Sequence, residues 1–109
     1  MTNITDQQLQ EKLEQSPAPR VTKEYIESRI SKLDGVTYHR IGETVTLCNI
    51  RLDNGFSVRG ESACVNPANY NEEIGNKIAY DNAFRQLWSP FGFLLAESNF
   101  NNSQEAKAA

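Results

Sequence analysis

Residues 44–65, TVTLCNIRLDNGFSVRGESACV, hold two strand-like runs around Asp53-Asn54-Gly55, which is a hairpin signal. Two registers are open. A two-residue Asn54-Gly55 turn pairs Leu52 with Ser57 and sets apolar residues against polar ones. A three-residue loop with a bulge pairs Leu52 with Phe56 and Ile50 with Val58. The second register collects Leu52, Ile50, Cys48, Phe56, Val58 and Cys64 on one face, and Arg51, Asn49, Arg59 and Glu61 on the other. A slip of one residue sends every side chain to the wrong face, so the clean sorting favours the three-residue loop. That register also sets Cys48 opposite Gly60 and Cys64 opposite Thr44. Four residues along a strand is about 13 Å, too far for a disulfide. Both cysteines then read as buried small apolar residues.

Upstream, residues 36–41 form a third strand-like run, joined to the hairpin through Gly42-Glu43. Before it, the spacing predicts a helix over 23–33. Thr22 caps it, Val21 packs on Ile26 as a staple, and Ile26, Ile30 and Leu33 share one stripe. Asp34-Gly35 ends it, with Gly35 in the left-handed conformation. Downstream, Asn69 with Glu72 three residues on caps a long helix over 70–88. Gly75, Ala79 and Ala83 make a small-residue lane on which a strand or helix can approach closely. Ile74, Ile78, Tyr80, Phe84, Leu87 and Trp88 spread so far around the axis that more than one side must be covered. Ser89-Pro90 ends or kinks this helix, and Pro90 can open a last short helix over 91–97.

The expected architecture is therefore α+β: an N-terminal helix, a three-stranded antiparallel β-meander, a long helix packed on the sheet and a short C-terminal helix. Residues 1–20 form a polar arm. Thr5 or Asp6 caps a weak helix carrying Leu9 and Leu13, and Ser16-Pro17-Ala18-Pro19 is a stiff linker. Residues 21–97 form the single α+β domain, and residues 98–109, rich in Asn, Ser and Ala, form a flexible tail.

At 109 residues the chain has room for one small domain. No run reaches the roughly 18 apolar residues of a membrane span, and residues 1–13 lack the basic and apolar regions of a secretory signal. A net charge of -3 argues against broad nucleic-acid binding, whose footprint is a basic excess. The two cysteines fit reduced thiols in a cytosol.

The residues of chemistry are sparse. His39 is the one histidine, and on the first strand it reads as a surface or edge residue with no nucleophile beside it. One His and two Cys show no metal-ligand spacing, so no metal is expected. Scattered glycines make no phosphate loop, and no cofactor is expected. Glu72 and Glu73 suit a helix N-terminus, and Asp81 with Arg85 suits a helical ion pair. Two features stand out as ligand- or partner-binding. Arg51 and Arg59, beside Asn49 and Glu61, can hold a phosphate or carboxylate bidentately, although a solvated strand face explains the same residues. Trp88, Phe91 and Phe93, with Leu94-Leu95, exceed what a three-stranded sheet covers and point to self-association.

Gly60-Glu61-Ser62-Ala63-Cys64-Val65, followed by Pro67, Asn69-Tyr70, Glu73-Ile74-Gly75, Ile78-Ala79, Asn82-Ala83, Leu87-Trp88 and Gly92-Phe93-Leu94-Leu95, carries a resemblance. Over residues 44–95 the chain resembles a family of small tailed-phage proteins, named for gene product forty-nine of coliphage N-four and gene sixty-six of Shigella phage Sf-six. The resemblance implies a phage or prophage accessory protein without an assigned activity, so no catalytic residue is carried across. Small dispensable phage genes often act on the host and its defence systems, which is an argument by association.

The leading expectation is a non-enzymatic protein of the host bacterial cytoplasm that binds a host factor, defence proteins included, or another phage protein. A homo-oligomer is expected with it. The first alternative is an oligomeric binder that sequesters a nucleotide signal on Arg51 and Arg59. The second is a small metal-assisted hydrolase or nuclease organised by acidic residues near arginine, Glu61 first.

Overall fold

The computed structural model describes residues 5–15 and 18–108; Ser16 and Pro17 of the expected linker, residues 1–4 and Ala109 lie outside them. In chain order the elements are α1 (Asp6–Glu14), α2 (Lys23–Ser28), β1 (Val36–Ile41), β2 (Val45–Arg51), β3 (Ser57–Ala63), a 3-10 turn (Pro67–Asn69), α3 (Glu72–Arg85) and α4 (Trp88–Ala108). The strands form one antiparallel sheet in the order β1-β2-β3. This is the expected mixed α+β fold, with α2 shorter and α4 longer than the sequence suggests.

The hairpin register is the three-residue one. Ile50 pairs with Val58 and Cys48 with Gly60. The Leu52 amide donates to the Phe56 carbonyl at 2.8 Å, and the Cys64 amide to the Thr44 carbonyl at 3.0 Å. Gly55, with φ 91°, supplies the left-handed residue of the turn. Cys48 is fully buried, but Cys64 is half-buried, correcting its expected burial; both are free thiols. Phe56, expected on the covered face, is 48% exposed at the hairpin tip.

One sheet face is covered by α3. The small-residue lane sits directly on the strands: a Cβ on Gly75 would stand 2.7 Å from Thr46 Oγ1, and one on Gly60 would stand 2.6 Å from the Ala79 carbonyl oxygen. Ile26, Cys48, Ile50, Leu52, Val58, Ala79, Ala83, Phe84, Leu87 and Phe91 close the core. Each large apolar side chain buried here contributes about 1.5–3 kcal/mol. Among the described residues Thr46 is the buried polar one, and its hydroxyl meets the Tyr70 hydroxyl at 3.2 Å. The wide apolar spread on α3 is covered only in part, because Ile74 and Ile78 remain exposed.

Three local expectations are corrected. The helix over 23–33 stops at Ser28, because the next residues join the sheet. Ile30 bridges Leu52, the Ser31 amide donates to the Arg51 carbonyl, and the Asp53 amide to the Arg29 carbonyl. Leu33, freed from any helix, is 74% exposed. The left-handed residue is Asp34, at φ 54°, rather than Gly35, which is instead packed against Ser31 and Ile30. The α3 cap is Asn71, whose Oδ1 accepts from the Ile74 amide at 3.1 Å. Asn69 is consumed by the 3-10 turn that Pro67 opens under the Asn66 side chain.

Pro90 lies in the first turn of α4, where its missing N–H interrupts no bond. The helix then continues to Ala108 through the residues expected to form a tail. The radius of gyration is 18.2 Å, against about 13 Å for a compact chain of this length. The excess comes from α1, which buries no residue, and from the distal part of α4, where residues 96–105 are exposed.

Candidate functional site

A cleft of about 450 Å³ opens between the tip of the β2–β3 hairpin and the first turns of α4. Its floor is Leu52 and Phe91, both buried, and its walls are Phe56, Pro90, Phe93 and Leu94. Phe93 is 65% exposed. The hairpin register fixes one wall, by leaving Phe56 beyond the last ladder pair. The first turns of α4, which opens at Trp88 and carries Pro90, form the other, with Phe91 turned inward and Phe93 outward.

Arg29 stands at the rim. Its Nε and Nη2 donate to both oxygens of Asp53 at 2.8–3.0 Å, and Nη1 donates to the Tyr25 hydroxyl at 3.3 Å. The guanidinium carbon lies 5.9 Å from the Phe91 ring centroid. The hydrogen bonds from Arg29 hold the Asp53 carboxyl below the usual carboxylate range, and they raise the arginine in turn. The rim charge is thus paired, and the exposed surface of the cleft is mainly apolar.

The expected aromatic cluster divides between surfaces. Phe93 lines the cleft, and Phe91, at 4% exposure, is core. The Phe91 ring meets Tyr25 edge-on at 5.9 Å, separating the cleft from a second cavity of about 320 Å³ beside Val21 and Leu95. Trp88 packs edge-on against Phe84 at 6.1 Å and faces Leu13 and Val21 in a separate cavity toward α1.

Arg51, Asn49, Arg59 and Glu61 do share the uncovered sheet face, with Asn49 opposite Arg59. Arg59 Nη1 donates to Ser57 Oγ at 3.1 Å and to Asn49 Oδ1 at 3.4 Å. Arg51 is turned aside, its Nη2 donating to the Leu33 carbonyl. The two guanidiniums therefore take separate partners. His39 lies exposed on β1 opposite Leu47.

The hairpin half of the cleft, Leu52, Asn54 and Phe56, and the Arg29–Asp53 pair escaped sequence reasoning. A ladder shows which residues pair but not which helix end arrives beside the turn, and Arg29 and Asp53 lie 24 residues apart. Among the described residues no three of His, Cys, Asp and Glu gather closely enough to hold a metal ion, and no helix is long and apolar enough to cross a membrane.

Compared with known proteins, residues 21–99 match the model of the family described as Phage protein (N4 Gp49/phage Sf6 gene 66). The match takes in α2, the whole sheet, α3 and the half of α4 that builds the cleft. No curated protein and no solved structure matches.

Proposed function

The chain belongs to this phage protein family, and from that premise we propose that it is a non-enzymatic accessory protein that acts by binding another protein in the host bacterial cytoplasm. The bound protein is a host factor, with defence proteins the favoured class, or a second phage protein. Self-association belongs to the same reading. The observation that supports it is the cleft, where Phe56 and Phe93 present apolar surface on either side of a buried floor. Exposed aromatics beside a well-packed floor are the usual anchors of protein interfaces. The paired Arg29 and Asp53 at the rim suit a partner that inserts an apolar side chain. The test compares proteins captured from phage-infected cells by the wild type and by Phe93→Ser. A protein held by the first and lost from the second is expected; equal capture by both contradicts the reading.

A second reading is a nucleotide ligand held between copies, favoured by Arg51 and Arg59 sharing one open sheet face. Under it, a nucleotide raises the melting temperature of the wild type and not of the Arg51→Ala, Arg59→Ala double variant. No rise with any nucleotide removes this reading.

A further inference from the structure

The two edges of the sheet are treated differently. On β3 the two central outward carbonyls are satisfied from α3: Asn82 Nδ2 donates to the Glu61 carbonyl at 2.9 Å, and Gln86 Nε2 donates to the Arg59 carbonyl. On β1 nothing comparable arrives. The Arg51 amide bonds the Gly35 carbonyl, which fixes the ladder phase: Thr37, His39 and Ile41 turn their main-chain groups toward β2, and Val36, Tyr38 and Arg40 turn theirs outward. Among the described residues no group pairs with those outward amides and carbonyls. Proteins blunt such an edge with proline, lysine, a bulge or a covering element. β1 has none of these, and the charge of Arg40 is drawn back, its guanidinium 3.8 Å over the Tyr70 ring and bonded to the Glu43 carbonyl. Tyr38 and Ile41 are exposed on the two faces beside the edge.

We propose that β1 is the self-association edge, pairing antiparallel with β1 of a second copy about a two-fold axis at Tyr38. Hydrogen-bond complementarity selects this register. With Tyr38 opposite Tyr38 and Val36 opposite Arg40 of the other copy, every outward group of Val36, Tyr38 and Arg40 finds a partner, whereas a shift in either direction strands some of them. Charge does not oppose this register. Each Arg40 faces a neutral Val36, and the two arginines stand about 14 Å apart along the strands, beyond the Debye length of about 8 Å at physiological salt. The two sheets become one continuous sheet in which the two-fold uses each β1 edge once, and at the outer β3 edges Asn82 and Gln86 occupy the Glu61 and Arg59 carbonyls. Pairing at β1 therefore closes at a dimer and does not propagate.

This deepens the self-association in the proposed function but does not depend on the cleft. Sedimentation velocity over a concentration series tests the full chain, together with disulfide trapping in a Cys64→Ser background. The wild type is expected to pass from monomer to dimer with concentration. Tyr38→Cys is expected to cross-link between copies under mild oxidation, because facing residues of a bonded pair lie within disulfide reach. Ile41→Cys, far from its counterpart in this register, should stay uncrosslinked. Tyr38→Pro, which removes an outward amide that bonds nothing in the monomer, should lose the dimer peak and keep its circular dichroism spectrum. Phe93→Ser should retain the dimer even while losing captured protein, which separates the two proposals. A wild type that stays monomeric at every concentration overturns the assignment to a second copy and leaves the edge to another polypeptide's strand. Cross-linking of Ile41→Cys as readily as Tyr38→Cys overturns the register.

Discussion

Gly60 of β3 lies so close to α3 that a methyl group placed on it would stand 2.6 Å from the carbonyl oxygen of Ala79 and overlap the amide of Ala83. Both obstacles are helix backbone, which cannot swing away as a side chain would. Gly60→Ala is therefore expected to destabilise the fold by about 3 kcal/mol or more, at or beyond the top of the usual overpacking range. Urea denaturation measures it, and a loss below 1 kcal/mol, on the order of an ordinary surface change, would show that α3 and β3 are less closely seated.

The neighbours Phe91 and Phe93 separate core from interface. Phe91→Ala empties a buried site and is expected to cost about 3–5 kcal/mol. Phe93→Ser removes an exposed ring and is expected to leave stability within about 0.5 kcal/mol. Thermal melts of the two variants check the contrast, which inverts if α4 docks two residues out of register.

Asp34 and Gly35 have exchanged the roles expected of them. Relieving the left-handed backbone by Asp34→Gly is expected to stabilise by about 0.5–1 kcal/mol. Gly35→Ala should destabilise instead, since its Cβ would overlap the Ser31 carbonyl and stand 2.7 Å from Ile30 Cγ2. Denaturation midpoints of the pair with opposite signs support the assignment; matching signs contradict it.

The two thiols should react at very different rates. Burial pushes the Cys48 thiol up to about 11, whereas Cys64 is half-buried, its Sγ 3.5 Å from the Asn66 carbonyl. Iodoacetamide at pH 8 is expected to label Cys64 and to reach Cys48 only on unfolding, as read by peptide mass spectrometry. Because the folded pKa of Cys48 lies above its unfolded value of about 8.5, its contribution is complete below that pH. Stability then falls as the pH rises toward 11.

Much of the sheet was legible because hairpin pairing is a local matter. Alternation of side chains fixed Ile50 against Val58 and Cys48 against Gly60 without any long-range information. The lane of Gly75, Ala79 and Ala83 announced a close approach in the same way. What failed was non-local. The pull of Ile30 toward Leu52 shortened α2 against its own helical periodicity. Pro67 moved the α3 cap from Asn69 to Asn71 by opening a turn of its own. The candidate site was half legible: Phe93 and the residues of the open sheet face were marked by type, but the opposing wall depends on where the hairpin tip meets α4. Of the arginines, Arg51 was lost to a carbonyl at Leu33, in a segment expected to be helix.

Binding of a protein through the cleft is tested most directly by quantitative capture from phage-infected cells, with native mass spectrometry of what the wild type, Phe93→Ser and Arg59→Ala each retain. The account predicts a protein retained by the wild type and by Arg59→Ala and lost from Phe93→Ser. Retention unchanged in Phe93→Ser, or a retained mass of several hundred daltons lost from Arg59→Ala alone, would contradict it.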